Sequence, residues 1–226
     1  FLREAKYINN ARMMLGTSCA VSGTGFLVSR EVFEKNGGWK HHLLTEDIEF
    51  STDCIVQGER IGYCNSAIIY DEQPTTFKAS WNQRLRWSKG FYQVFFNYGG
   101  KLCKNIFKKH SFAAYDMFMT IAPGVLLTLA TFAIGIAGVI YALVNPVYMN
   151  VMVHSLTETV VFALGASYVT MFTLGLITTV TEWDQIHTRN WKKIAYLFTF
   201  PVYIMTYIPI SLVALVKKIQ WVPIQH

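Results

Sequence analysis

The sequence predicts an α/β fold that passes into an amphipathic helix at a membrane surface and then into about three transmembrane helices. Three observations predict it. Charged and apolar residues mix over residues 1–116 as they do in a soluble domain, but beyond that point charge nearly vanishes for long stretches. Three uncharged windows, 117–144, 159–181 and 194–216, run for 28, 23 and 23 residues, and a helical crossing needs about 20. The approach to the first window is basic, since residues 73–115 hold eight Lys or Arg and no Asp or Glu. The chain therefore divides into an α/β part (1–75), an interfacial helix region (76–112) and a transmembrane region (113–226).

Within the first part, residues 19–28 read as a buried strand and 31–35 as a short helix stopped by Gly37-Gly38. Thr45 is placed to cap a helix over 47–56 that ends at Gln57-Gly58. Residues 60–70 alternate as a strand. Pro74 then breaks the chain before a long helix over about 77–98. At 100° per residue, Gln83, Arg86 and Trp87 share one face of that helix. Phe77, Trp81, Leu85, Tyr92, Phe95 and Phe96 gather opposite, as in a helix lying flat on a bilayer.

The basic approach (Lys101, Lys104, Lys108, Lys109) marks the cytoplasmic side of the first window by the positive-inside rule. Residues 145–158, without Lys or Arg, then belong outside, and 182–193, with Arg189, Lys192 and Lys193, inside. The third window carries Pro201 and Pro209 and is read as kinked or re-entrant. Lys217 and Lys218 favour the cytoplasm, where a simple third crossing does not put them. A net charge of +6 suits nucleic acid or an anionic membrane surface. Because the positive charge abuts an apolar run, the membrane is favoured and no nucleic-acid partner is expected.

Cys19, Cys54, Cys64 and Cys103 show neither CxxC pairing nor zinc spacing and read as free cytosolic thiols. Glu182, Asp184 and His187 read as part of an inter-span loop rather than a metal cluster, and no metal ligand is assigned within the chain. His41-His42 reads as a solvated loop pair, and Trp183, Trp191 and Trp221 as an aromatic belt. The tail Trp221-Val222-Pro223-Ile224 is read as folding back on the first part. Phe1-Leu2-Arg3 reads as the middle of a longer protein.

Two motifs carry chemistry. In Thr45-Glu46-Asp47, acids behind a Thr in the first turn of a helix serve capping and the helix dipole. A carboxylate at the floor of a cleft can also take a proton from a hydroxyl. In Gln83-Arg84-Leu85-Arg86-Trp87, the guanidinium fork of Arg86 suits a diphosphate and Trp87 offers a flat wall. Taken alone, that helix reads rather as an amphipathic one with a solvated basic face.

Together the two motifs, 36 residues apart and followed by apolar runs, resemble the processive family 2 glycosyltransferases: cellulose, chitin, hyaluronan and bacterial poly-N-acetylglucosamine synthases. The resemblance runs from about Gly16 to the first apolar window. Ser22-Gly23-Thr24-Gly25 is similar to the family's acceptor-side segment, but lacks the Cys found there in cellulose synthases, which leans away from cellulose. Gly37-Gly38-Trp39 and Asp71-Glu72-Gln73-Pro74 resemble framework positions. The resemblance implies that residues 1–75 are the C-terminal part of a GT-A catalytic domain. It implies inverting transfer from UDP-N-acetylglucosamine or UDP-glucose to a growing β-linked polysaccharide. Asp47 would be the base and Glu46 would shape the site. Gln83, Arg86 and Trp87 would hold the diphosphate and acceptor end, with Ser22, Gly23 and Thr24 beside the acceptor.

It further implies Mg²⁺ or Mn²⁺ held by an upstream Asp-x-Asp. None occurs in these residues, so the donor-binding half is expected to precede them and this chain alone to be inactive. A multi-pass plasma-membrane protein with a cytoplasmic catalytic part, exporting its polymer with possible accessory subunits, completes the expectation. The alternatives are single-sugar transfer to a lipid acceptor and a non-catalytic membrane subunit.

Overall fold

The computed structural model describes residues 2–220, with the side chains at positions 123, 125, 128 and 132 outside that description. The expected fold-back of Trp221-Val222-Pro223-Ile224 lies outside the described residues. The fold differs from the α/β expectation: among the described residues there are helices, turns and extended loops, and no strand. The two segments read as strands, 19–28 and 60–70, are extended without a ladder. Cys19 N–H donates to the Ile61 carbonyl at 2.9 Å, and Ile61 N–H donates to Ser18 Oγ at 2.9 Å. One backbone bond between two segments does not make a sheet, which needs a repeating exchange of N–H and C=O groups. Alternation in 60–70 thus marks a chain lying across the surface, with Ile68, Ile69 and Tyr70 exposed.

The chain forms two compact units, one of residues 2–126 and 210–220 and the other Leu127–Pro209. In the first unit a π-helical turn, Glu4–Asn9, runs into α1 (Asn10–Met14). Arg12 of α1 is buried, and its guanidinium donates to Asp116 at 2.7 Å and to Thr120 Oγ1 at 2.6 Å. Helix α2 (Arg30–Lys35) is capped by Ser29 Oγ, which accepts from Val32 N–H, and stops at Gly37 and Gly38, both at positive φ. Helix α3 spans Glu46–Gln57 and ends at Gly58 with φ 89°, as its Gln-Gly signal predicts.

Helix α4 (Phe77–Lys109) is 33 residues long, and Thr76 caps it through Oγ1. It outruns its expected end near residue 98. Its second half is held by tertiary contacts: Val94 and Leu102 pack with Ile55 of α3 and with Ala114, Met117 and Ile121 of α5 (Phe112–Val144). Asn105 Nδ2 also donates to the Val56 carbonyl at 2.9 Å. Packing of this kind overrides the weak propensity of Gly99-Gly100.

The aromatic residues of α4 do not form one lipid-facing side. Leu85 and Tyr92 are buried against Ile210 and Ala214 of α8 (Tyr207–Val216), whereas Phe77 and Phe96 are exposed. Tyr92 hydroxyl donates to the Ser211 carbonyl at 3.0 Å. Lys89 Nζ donates to the Ala214 carbonyl at 2.9 Å, satisfying a group that the last turn of α8 leaves without a helical partner.

In the second unit, α6 (Met149–Thr181) packs along α7 (Asn190–Met205). Gly175 permits the close approach, since a Cβ there would stand 3.1 Å from the Phe200 ring. Lys193 closes the turn between them by donating to the Trp183 carbonyl at 2.6 Å. Pro201 lies inside α7, and the helix breaks at Thr206 before α8 begins with Pro209 in its first turn, where a missing N–H costs nothing.

Among the described residues two stretches are long and apolar enough to cross a membrane, Pro146–Thr181 and Asn190–Val216, where three were expected. The expected first span lies in α5, a 33-residue helix whose described apolar stretches are Phe112–Ala122 and Leu129–Val144. Its opening turns serve another purpose: Ala114, Met117 and Ile121 are core residues of the first unit.

Candidate active site

The site is assembled where the first turn of α3 meets α4 and the 21–25 loop. Thr45 stands at the N-cap position as expected, but its side chain makes no capping bond. It is buried instead, with Oγ1 unpartnered among the described residues. The space it occupies is left by Gly90 of α4, on which a Cβ would sit 2.5 Å from both Thr45 Cγ2 and Oγ1. The two residues before it are fixed by side chains of other turns. Leu43 N–H donates to Glu49 Oε2 at 2.9 Å. Leu44 N–H donates to Gln93 Oε1 at 3.2 Å, and the Leu44 carbonyl accepts from Arg86 Nη1 at 3.2 Å. Arg86 therefore holds the strand of chain that delivers Glu46 and Asp47, while its Nε has no partner among the described residues. Trp87 and Gln83 are half-buried on the same helix.

Asp47 is half-buried. Burial pushes its carboxyl above the usual carboxylate range and the neighbouring Glu46 adds to this, while the backbone N–H groups of Ile48 and Gly23 oppose it. The Ile48 N–H bond is 2.8 Å. Gly23, at φ 65°, takes a conformation that favours glycine and brings its backbone against Asp47 Oδ2. Ser22, Gly23 and Thr24 are exposed in this turn, and of the three it is Gly23 whose contact with Asp47 is seen. An open groove of about 840 Å³ runs past Ser22 and Thr24, with Phe50 and Cys54 in its lining and Ile69 and Tyr70 along it. Burial raises the Cys54 thiol to about 11, so it is not a nucleophile at neutral pH.

Sequence reasoning missed the residue that joins the loop to the helix. Ser51 is fully buried; its Oγ accepts Val21 N–H at 2.8 Å and donates to the Asp47 carbonyl at 2.8 Å. Its position one turn beyond Asp47 was the available signal. Replacing Ser51 by Ala orphans the buried Val21 N–H at a cost of about 1–3 kcal/mol. The expected result is a lower thermal midpoint of the detergent-purified protein, restored by Ser51→Thr. An unchanged midpoint in Ser51→Ala would remove Ser51 as the tie between the loop and α3.

His41 is also unlike its expectation. It is buried, not solvated, with rings of Trp39 and Phe50 5.3 and 5.4 Å from its own. Its Nε2 lies 3.2 Å from Asp53 Oδ2, which also accepts from Lys40 at 3.0 Å and Gln57 at 2.9 Å. Burial alone would raise Asp53, but the bonds from Lys40 and His41 outweigh it and hold the carboxyl below its usual range. His42 is exposed. Among the described residues no three His, Cys, Asp or Glu side chains stand together as metal ligands, and all four cysteines are free.

The chain is 32% identical over 100 residues to the probable glycosyltransferase YdaM of Bacillus subtilis (strain 168), covering 44% of this chain and 24% of that protein. It is 28% identical over 97 residues to a beta-monoglucosyldiacylglycerol synthase of Synechocystis sp., covering 43% and 20%. It is 30% identical over 87 residues to the poly-beta-1,6-N-acetyl-D-glucosamine synthase of Staphylococcus aureus (strain COL), covering 38% and 21%. The chain thus matches about a quarter or less of the length of these relatives. No solved structure matches it. The family model described as glycosyl transferase family group 2 matches residues 3–216, nearly the whole chain, and the chain belongs to that family.

Proposed function

We propose that this chain supplies the acceptor-side half of the active site of a membrane glycosyltransferase that moves a sugar from a UDP-sugar to a growing β-linked polysaccharide. The observation that carries the reading is the meeting of Asp47, the Ser22-Gly23-Thr24 turn and Arg86 at the first turn of α3. A carboxylate whose basicity is raised by burial suits proton transfer from a hydroxyl. The acceptor oxygen loses its proton to Asp47 as it attacks the anomeric carbon. The bond from that carbon to the diphosphate breaks, UDP leaves, and the configuration inverts. Glu46 keeps the pocket acidic, and Gln83, Arg86 and Trp87 hold the diphosphate and the acceptor end.

The resemblance also implies Mg²⁺ or Mn²⁺ on the diphosphate. No ligand cluster for it exists among the described residues of this chain, so in this reading its ligands lie in other parts of the protein. The two long apolar stretches support a membrane location, and in this reading the protein is multi-pass with its catalytic part cytoplasmic. Accessory export subunits fit a polymer product.

One observation favours a second reading, single-sugar transfer to a lipid: a relative of similar likeness is a beta-monoglucosyldiacylglycerol synthase. The experiment is UDP release by the full-length protein in membranes, given UDP-N-acetylglucosamine or UDP-glucose with Mg²⁺, followed by sizing of the product. Turnover with one donor and a product many sugars long is expected. A single-sugar glycolipid would establish the second reading. No UDP release with either donor would sink both and leave a non-catalytic membrane subunit.

A further inference from the structure

Within the first unit, α4 is gripped on two faces over the turns that carry Arg86. At 100° per residue, Arg86, Gly90 and Gln93 fall within about 60° of one another. That face meets the chain just before Asp47. Arg86 Nη1 donates to the Leu44 carbonyl, Gln93 Oε1 accepts Leu44 N–H, and Gly90 lies against Thr45. Leu85 and Tyr92 lie about a third of a turn away, buried against Ile210 and Ala214 of α8. Half-buried Lys89 stands between the two faces. Its Nζ donates to the Ala214 carbonyl at 2.9 Å and to the Leu215 carbonyl at 3.3 Å. Both carbonyls belong to the last turn of α8, which ends at Val216. A cation suits that place, because those groups lack helical partners and form the negative end of the helix dipole.

We propose that Lys89 is a positioning residue for sugar transfer: by holding the last turn of α8 it fixes the roll of α4, and with it the chain that delivers Asp47. The role in transfer rests on the transferase reading above; the mechanical link does not. Apolar burial of Leu85 and Tyr92 keeps α4 against α8 but is non-directional and leaves its rotation free. Directed bonds set the rotation, namely those of Lys89 and that of the Tyr92 hydroxyl to the Ser211 carbonyl at 3.0 Å. The opposite contact tolerates little roll. Thr45 fits only over Gly90, where a Cβ would stand 2.5 Å from its Oγ1 and Cγ2, so a roll turns a neighbouring side chain towards it. The bonds of Arg86 and Gln93 to Leu44 are both 3.2 Å, at the long end of the range, and a roll breaks them.

The test uses the full-length protein purified in detergent, read by amide hydrogen exchange and by UDP release. Lys89→Met removes the donors and keeps an aliphatic stem; Lys89→Arg keeps charge and donors. In Lys89→Met, exchange over residues 43–47 is expected to quicken while α2 keeps the parent rate. Turnover should fall by about 10–100-fold, the cost of misplaced reacting groups. Lys89→Arg should recover both. Tyr92→Phe, which loses the hydroxyl bond to Ser211, should move both readings the same way by less, and it decides the question if Lys89→Met does not fold. Faster exchange confined to 210–216 would overturn the proposal, as would parent-like turnover despite faster exchange over 43–47. A uniform rise along the chain with a lowered thermal midpoint would make Lys89 a stability residue and overturn it too. If the parent releases no UDP, the transferase reading fails and takes the role in transfer with it. Exchange over 43–47 would still show whether Lys89 holds that segment.

Discussion

Asp47→Asn in the full-length protein is expected to cut UDP release by about 10²–10⁴-fold, the usual share of a positioned general base, while leaving the fold as stable as before or more so. The two halves of that expectation come from one cause. Burial disfavours the charged carboxylate, so the folded-state pKa lies above the unfolded value. For such a group the stabilising contribution is complete below the unfolded pKa and is lost as pH rises through the folded one. At neutral pH the ionised side chain therefore costs stability. Asn removes the charge, keeps one oxygen to accept the Ile48 N–H at the loss of the acceptor that faces Gly23, and cannot take a proton. In the parent protein the rate should fall on the acid side as Asp47 protonates, beginning above the usual carboxylate range. Thermal midpoints and UDP release measured together decide the matter. Lost activity with an intact or raised midpoint fits a base; lost activity with a collapsed midpoint makes Asp47 structural; unchanged release removes it from the chemistry.

Helix termini were legible from sequence because their causes are local. Gly37, Gly38 and Gly58 adopt the left-handed backbone that their positions demanded, and Thr76 caps α4 two residues beyond Pro74. The α/β class was not legible, because alternation in 60–70 says nothing about whether a neighbouring backbone is present to pair with it, and Ile68, Ile69 and Tyr70 are in fact exposed. Burial of His41 depends on Asp53 and Trp39 meeting around it, which no local pattern announces. The same holds for the first apolar window: hydrophobicity alone does not separate a lipid-facing helix from one whose first turns, at Ala114, Met117 and Ile121, line a protein core. At the site, the carboxylate and arginine motifs were visible, but the parts that hold them together were not. Ser51, Glu49 and Gln93 each act on backbone groups of other turns, and only three-dimensional contact identifies them.

Gly90→Ala should be damaging, although propensity argues the reverse. Ala in a helix interior gains about 0.5–1 kcal/mol over Gly. Against that, the new Cβ would stand 2.5 Å from Thr45 Cγ2 and Oγ1 and 2.9 Å from Thr45 Cβ. Rotation of Thr45 cannot clear all three, since its Cβ does not move with χ1. Overpacking of this kind costs about 1–3 kcal/mol, so the clash outweighs the propensity, and α4 must shift away from the first turn of α3. The Arg86–Leu44 bond is already 3.2 Å long, and a shift of a few tenths of an ångström takes it out of hydrogen-bond range. A drop in thermal midpoint and a larger drop in UDP release are expected together. Thr45→Ala alone should change stability by about 1 kcal/mol or less, because a lost methyl is offset by removal of a buried, unpartnered hydroxyl. In the double variant two of the three short contacts vanish, so Gly90→Ala should be partly rescued, with a coupling of about 0.5–3 kcal/mol. Strict additivity of the two changes would mean that the close approach of α4 to Thr45 does not position the carboxylates. A recovered midpoint without recovered turnover would assign to the Thr45 side chain a part in the reaction beyond filling the space above Gly90.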